Sequence, residues 1–338
     1  MSYWNHCGSK VHHGRYSLTM RILITGGFGF IGGRLAVHLT QAGHQIVLGT
    51  RSTNKAPAWL PQAEVAQIHW HDAEYLEHTC QGIDVVIHAA GMNAQDCAVD
   101  PVVALEFNGV ATSRLVAAAI RACVPRFIYL STAHVYDNPL TGTITENTCP
   151  RNLHPYATSH LAGEYAVLGA NQRGQIRGIV LRLSNAFGAP VHSNVNCWML
   201  LINDLCRQAV ETHKLVLQTN GLQQRDFIGM VDVCLITGQL AIGNNDSLST
   251  GLFNVGTGVS QSVLEMAQII QQRCKQVLGL KLELQRPTDG ITEAHPILHY
   301  QTNRFTPMVS ESNASITELD NLLRFCHSTF TQTVSHDA

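Results

Sequence analysis

Charge of either sign is scarce in this 338-residue chain: only 14% of residues are Asp, Glu, Lys or Arg, and 22 basic residues stand against 24 acidic ones. Such a balance gives a polyanion nothing to bind, so nucleic acid is excluded as an expected partner. The ten cysteines, at 7, 80, 97, 123, 149, 197, 206, 234, 274 and 326, form no C-x-x-C pair of the kind that marks zinc or a redox motif, and read as reduced, mostly buried thiols. Histidines are many, but the closest groupings, His12/His13 and His69/His71, lack a third ligand at metal-site spacing, so no metal is expected. The first nineteen residues have no apolar stretch long enough for a signal peptide, and no later segment reads as apolar over the length of a membrane span. A cytoplasmic protein with no membrane partner is the expectation, with residues 1–19 a flexible leader or a start-site artefact. Lysine is missing altogether between Lys55 and Lys214.

Short β-branched, apolar runs recur instead. "RILITG" at 21–26, "QIVLGT" at 45–50, "DVVIHAAG" at 84–91, "RFIYLST" at 126–132 and "GIVLRLS" at 178–184 each read as a strand buried on both faces. Between them lie helical patterns, such as 31–42 ending at Gly43 and 102–122 with Val102, Leu105, Val110, Leu115, Ala118 and Ala119 on apolar faces. This alternation predicts an α/β fold, a doubly wound parallel Rossmann sheet. After residue 185 the pattern changes to helices and loops with one further strand, "GLFNVGTG" at 251–258. The predicted division is a dinucleotide-binding domain over 20–184, to which part of 225–258 returns, and a smaller C-terminal substrate-binding cap made of most of 185–330.

"TGGFGFIGG", residues 25–33, follows the first strand and opens the first helix, with Gly26, Gly29 and Gly32 at three-residue intervals ahead of and around Phe30 and Ile31. Such a turn lets backbone approach a pyrophosphate at the positive helix N-terminus, so these five residues are cofactor-binding candidates; a merely structural tight turn is the alternative. Where the second strand ends, Arg51 stands in place of an acidic residue that would accept from a free ribose 2'-hydroxyl. A guanidinium there suits a 2'-phosphate, which favours NADP over NAD, unless Arg51 stacks on adenine or points to water. Asp72, beside Ala73 after the third strand, is placed to hydrogen-bond the adenine amino group.

These residues resemble the extended short-chain dehydrogenase/reductases, in particular the NAD(P)-dependent nucleotide-sugar epimerase/dehydratase group. The resemblance covers about residues 20–290 and rests on ordered motifs: "TGGFGFIG", "DVVIHAAG", "NGVATSRL" at 108–115, "YLSTAHVY" at 129–136, "PYATSHLAGE" at 155–164, "LRLSNAFG" at 181–188, "RDFIGMVDV" at 225–233 and "FNVGTG" at 253–258. It implies that His88, Ala89, Ala90 and Asn108 belong to the cofactor site, and that Thr132 binds the reacting sugar oxygen beside the catalytic Tyr156. It also implies that Asn185, Arg225 and, less closely, Arg286 in "QRPTDG" hold the diphosphate of a nucleoside-diphosphate sugar. Dehydratases of the group carry Asp-Glu directly after the threonine; here Ala133 and His134 stand there, against elimination of water. A homodimer through helices including 102–122 and 156–170 is likewise implied.

The group's Y-x-x-x-K motif reads Tyr156 to His160 in this chain, and the lysine gap leaves no shifted alignment to restore it. Lysine would bind the nicotinamide ribose and, as a fixed charge, lower the tyrosine pKa. An unperturbed phenol is ionised to about one part in a thousand at pH 7, a handicap of roughly 4 kcal/mol. Two expectations follow. Either Tyr156 works as acid/base with His160 taking the ribose contact, best where protonated His160 and ionised Tyr156 overlap, as an epimerase or, with fewer demands, a 4-ketoreductase. Or the protein binds cofactor and nucleotide sugar with impaired turnover.

Overall fold

A computed structural model describes residues 19–52, 55–243, 251–287, 296–304 and 314–331. The leader 1–18 and Thr288 of the "QRPTDG" stretch lie outside them. All six strand-like runs read from the sequence enter one seven-stranded sheet, joined by the short strand Glu64–Gln67. Taken across the sheet, the order is Leu252–Val255, Arg177–Leu183, Arg126–Thr132, Val85–His88, Arg21–Thr25, Gln45–Thr50, Glu64–Gln67, and every pairing is parallel. The order reverses between Arg21–Thr25 and Val85–His88, which makes the C-terminal edge of those two strands the crevice where such sheets bind ligands.

Strand alternation explains why these runs are apolar throughout. Ile22, Ile24, Ile128 and Leu130 face one core, shared with Leu35 and Leu39 of the helix Phe30–Gln41 and with Val233 and Ile236 of the helix Met230–Ile242. Leu23, Val86, Phe127 and Tyr129 face a second core on the other side, shared with Leu76 of Ala73–Cys80, Leu115 of Thr112–Arg121 and Val167 of Pro155–Gln172. Beyond the sheet, Phe187, Leu205, Ile270 and Leu322 gather the helices Leu201–Glu211, Val263–Leu278 and Ala314–Phe330 around a third core, the smaller C-terminal cap. A capping box in which Ser262 and Glu265 satisfy each other's backbone N–H groups fixes the start of one of these helices.

The expectation of no membrane-length apolar segment is corrected by the 21-residue helix Pro101–Arg121, which holds an 18-residue window of mean hydropathy 1.3, enough by length and composition to cross a membrane; half of that window is buried in the fold. One face packs Leu115, Ala118 and Ala119 on the sheet, while Val102, Leu105 and Val110 remain exposed, so both faces are apolar. Its middle, Leu105–Ala111, winds as a π-helix, which the apolar periodicity did not reveal.

The helix Pro155–Gln172 is locked to the sheet by a buried ion pair. Arg182 makes a two-pronged contact with Glu164, with both side chains almost fully buried, and the Ser131 hydroxyl donates to the same carboxylate at 2.5 Å. The guanidinium also lies 4.6 Å from the centre of the Tyr136 ring. Removing one partner strands a buried charge. Glu164→Gln is therefore expected to cost about 3 to 5 kcal/mol in urea unfolding; a loss below about 1 kcal/mol would show that the pair is not the lock described.

Candidate active site

The glycine turn builds the first wall. Gly26 has φ +69°, and a Cβ there would meet the Ala90 backbone nitrogen at 2.8 Å, while one on Gly32 would run into the Gly26 carbonyl oxygen. Only glycine lets the turn, the strand end at Ala89–Ala90 and the first helix close up this tightly. The helix begins at Gly29 with no side-chain cap and no acidic residue in its first turn, so its free N–H groups and dipole are left to an anion.

From this turn a cleft of about 490 Å³ runs toward the second strand, lined by Gly26, Gly29, Ala89, Ala90 and Arg51, and also by Trp70, Met92 and Phe107. An adjoining cleft continues past Phe30, Ile31, Gly32 and Gly91 to Tyr156 and His160. Several expected cofactor residues stand outside both. Asp72 caps the helix Ala73–Cys80, its Oδ1 accepting from the backbone of Glu74 and Tyr75, so neither it nor Ala73 lines the cleft. His88 is buried beneath it, bonded through Nδ1 to Thr25 at 2.6 Å and through Nε2 to Thr112 at 2.9 Å, and burial pushes its pKa down to about 3. Asn108 is buried too, its Oδ1 accepting from the Met92 N–H and its Nδ2 donating to Ser159, so it braces the loop that forms the wall.

The helix that carries Tyr156 and His160 starts where the sequence stops it from starting earlier. Pro155 takes the first position, and His154 caps it, its Nδ1 accepting from the Tyr156 N–H. Tyr156, His160 and Glu164 then share one stripe at four-residue spacing. Tyr156 and Thr132, the last residue of its strand, line one pocket, with the Thr132 hydroxyl near enough to act on the phenol. The Tyr156 and His160 rings meet edge to face with centroids 4.6 Å apart. The His160 Nδ1 contacts the hydroxyl of Tyr129 at 2.9 Å.

Burial favours the neutral form of both side chains at physiological pH. It pushes Tyr156 up to about 12, against a smaller opposing effect of the Thr132 hydroxyl, and pushes His160 down to about 4. The overlap expected between protonated His160 and ionised Tyr156 therefore does not arise: one charge appears only in acid and the other only in strong base.

A third, smaller pocket of about 160 Å³ opens on the far side of Tyr156, lined by Thr132, His134, Asn185 and Phe227 among others. Asn185 donates through Nδ2 to the Asp226 carbonyl at 2.9 Å. Arg225 lies close enough for its charge to help depress His134, which burial chiefly pushes down to about 4. Arg286 is bonded to the Asn220 carbonyl and lines none of these pockets. Sequence reasoning missed Trp70, Phe107, Tyr129 and the pocket role of His134. For Tyr129 a signal existed: with Ser131 it places polar atoms on alternate positions of a largely apolar strand.

Residues 22–256 match the family model described as the NAD dependent epimerase/dehydratase family. The chain belongs to that family. Among its relatives, dTDP-6-deoxy-L-talose 4-dehydrogenase (NAD(P)(+)) of Kitasatospora kifunensis is 30% identical over 262 residues, 74% of this chain and 78% of that one. UDP-glucose 4-epimerase of Haemophilus influenzae is 28% identical over 308 residues, 81% and 88% of the two chains. The solved structure of UDP-glucuronic acid 4-epimerase from Bacillus cereus in complex with UDP-glucuronic acid and NAD has a TM-score of 0.70 and 21% identity over 90% of this chain and 99% of that one, a likeness of fold.

The family also corrects the expected preference for NADP. The matched model is that of NAD-dependent enzymes, and the Bacillus cereus structure holds NAD. The physical reason lies at Arg51, whose guanidinium sits 5.8 Å from the centre of the Phe107 ring. It is the sole basic residue among the described residues lining that cleft, which Asp96 also lines. One ring-stacked, exposed guanidinium does not make a 2'-phosphate site.

Buried neutral imidazoles make folding stability fall with acid. His160 and His88 have folded pKa values below the unfolded value near 6.5, so between about pH 6.5 and 4 the unfolded chain binds protons that the native state refuses. Each contributes a loss of about 1.4 kcal/mol per pH unit in that window, and none above it. Urea unfolding at pH 7, 6 and 5 is expected to show His160→Gln reducing the slope by one proton's worth. An unchanged slope would mean that His160 already titrates normally in the folded protein.

Proposed function

We propose that this chain is an NAD-dependent oxidoreductase of a nucleoside-diphosphate sugar, working best as a 4-ketosugar reductase. The observation that carries this reading is Tyr156, a neutral phenol that lines both the long cleft and the small pocket, the latter together with Thr132. NAD fits the residues present: the open helix N-terminus and glycine turn for its pyrophosphate, Arg51, Trp70 and Phe107 around the adenosine end, and His160 toward the nicotinamide ribose. Bound in its reduced form, NADH would supply the hydride and leave as NAD+, and the protein would supply the proton. In reduction of a ketone, Tyr156 donates its phenolic proton to the oxygen as the C–H bond forms, while the Thr132 hydroxyl orients that oxygen.

Oxidation asks the reverse, and there the site is handicapped. At a pKa of about 12 the phenol is ionised to about one part in a hundred thousand at pH 7, roughly 7 kcal/mol against its use as a base. An epimerase must both oxidise and reduce, so reduction suits this chain better. Ala133 and His134 leave elimination of water without the Asp-Glu pair that dehydratases of the family carry. Asn185, which lines the small pocket, and Arg225, near the pocket's His134, are the diphosphate ligands in this reading, and residues 185–330 serve as most of the substrate domain against a cofactor domain over 20–184. A homodimer is supported by the exposed apolar residues Val102, Leu105 and Val110 on one helix and Tyr165 on the next. The protein is placed in the cytoplasm.

Incubation with a panel of nucleoside-diphosphate ketosugars and NADH tests the reading. Stoichiometric NADH loss with at least one of them is expected, with Tyr156→Phe lowering kcat about 100-fold or more while NADH binds as before. Interconversion of sugars with no net cofactor change would make the protein an epimerase. The neutrality of both groups also favours a second reading, a binding module of impaired turnover: binding without either turnover, and activity created by His160→Lys, would establish it.

A further inference from the structure

The hydroxyl of Tyr129 lies 2.9 Å from the Nδ1 of His160, and both side chains are buried, so this contact has only two proton arrangements for a neutral imidazole. In one, Tyr129 donates to Nδ1 and the ring proton sits on Nε2. In the other, Nδ1–H donates to Tyr129, which must then pass its own proton elsewhere. Its other hydrogen bond among the described residues, to the Asn108 carbonyl, is 3.5 Å long, and that carbonyl already accepts the Thr112 hydroxyl at 2.6 Å. Thr112, having spent its proton there, accepts from the Nε2–H of His88, whose Nδ1 accepts from Thr25. The Thr112 hydroxyl also lies near the Tyr129 phenol but already accepts from His88, so the best-placed acceptor for the phenol proton of Tyr129 is Nδ1 of His160, at 2.9 Å.

The opposite edge of the His160 ring has no hydrogen-bond partner among the described residues. It points along the wall of the cleft: a Cβ on Gly91 would sit 3.9 Å from Nε2, and His160 lines that cleft with Gly91, Ala90 and Tyr156.

We propose that Tyr129 is a positioning residue that fixes His160 in its Nε2–H tautomer, so that a neutral N–H is presented to the cofactor cleft where relatives present a lysine ammonium. The proposal rests on the reading above that His160 meets the nicotinamide ribose. A ribose hydroxyl then receives the directed hydrogen bond that lysine would give, without the charge. The division of labour also explains how the chain holds cofactor orientation while forgoing the electrostatic activation of Tyr156.

Nitrogen NMR of the full-length protein labelled with ¹⁵N-histidine reads the tautomer without cofactor, with the His160 signals assigned from their loss in His160→Gln. The expected spectrum has Nε2 protonated and Nδ1 unprotonated and hydrogen-bonded, with Tyr129→Phe shifting the proton toward Nδ1. Calorimetry with NADH supplies the second readout: Tyr129→Phe weakens binding about 5- to 10-fold. Lysine needs no tautomer, so in the His160→Lys background the same change leaves affinity within about twofold. A wild-type ring protonated on Nδ1 would overturn the proposal, as would an equal loss of affinity in both backgrounds, which marks a merely structural tyrosine. If the tautomer responds to Tyr129→Phe while His160→Gln leaves NADH affinity unchanged, the cofactor assignment of His160 fails and its control by Tyr129 stands.

Discussion

The seam between the helix Pro155–Gln172 and the strand Arg126–Thr132 carries two polar contacts one helical turn apart. Ser131 and Arg182 hold Glu164 at the lower step, and Tyr129 holds His160 at the upper one. Between apolar neighbours such as Val167 and Phe127, these contacts set the helix at one height and one rotation against the sheet. That setting decides where Tyr156 comes to rest, because Tyr156 lies one further turn along the same stripe. A slide of the helix by a single residue would take its phenol away from Thr132 and the imidazole away from the cleft wall. At the upper step desolvation disfavours charge on His160 and Tyr156, whereas the lower step is the paired charge of Arg182 and Glu164.

Neutrality separates this chain from the electrostatic logic of its family. A lysine beside the tyrosine is a permanent charge that helps the phenol to ionise; a buried imidazole with a pKa of about 4 is a dipole with one directed N–H. On the proposed reading, what survives is the geometric part of the role, an N–H aimed along the cleft. What is lost is the help to a base, and the reducing direction is the one that asks least of it. His134, also held neutral beside Arg225, extends the same character into the small pocket, where a relative with the dehydratase motif would have a carboxylate.

The sheet was legible because strands buried on both faces must be apolar throughout, and six such runs in the chain have no other use. The glycine turn was legible because close approach of backbone leaves no choice of residue at Gly26 and Gly32. Arg51 misled because a guanidinium serves a phosphate and an aromatic ring equally well, and the ring, Phe107, lies more than fifty positions away in the chain. Asp72 has a local use as a cap, which the sequence reading passed over, and lines a separate pocket with Trp70 and Ala73. His88 and Asn108 occupy the expected motifs but act one layer below the cleft. The partnership of Tyr129 with His160 depends on register between a strand and a helix 31 positions apart, which no local pattern reports, although the alternating polar positions of the strand hinted at it.

The account depends on Tyr156 and His160 both being uncharged across the neutral range. NMR titration of protein labelled with ¹³Cζ-tyrosine and ¹⁵N-histidine, followed from pH 4.5 to 10.5 and assigned with the Tyr156→Phe and His160→Gln variants, measures both at once. The prediction is that neither resonance titrates between pH 6 and 9, with His160 beginning to protonate only near the acid end and Tyr156 still a phenol at pH 10. A midpoint for either group between pH 6 and 9 would contradict it.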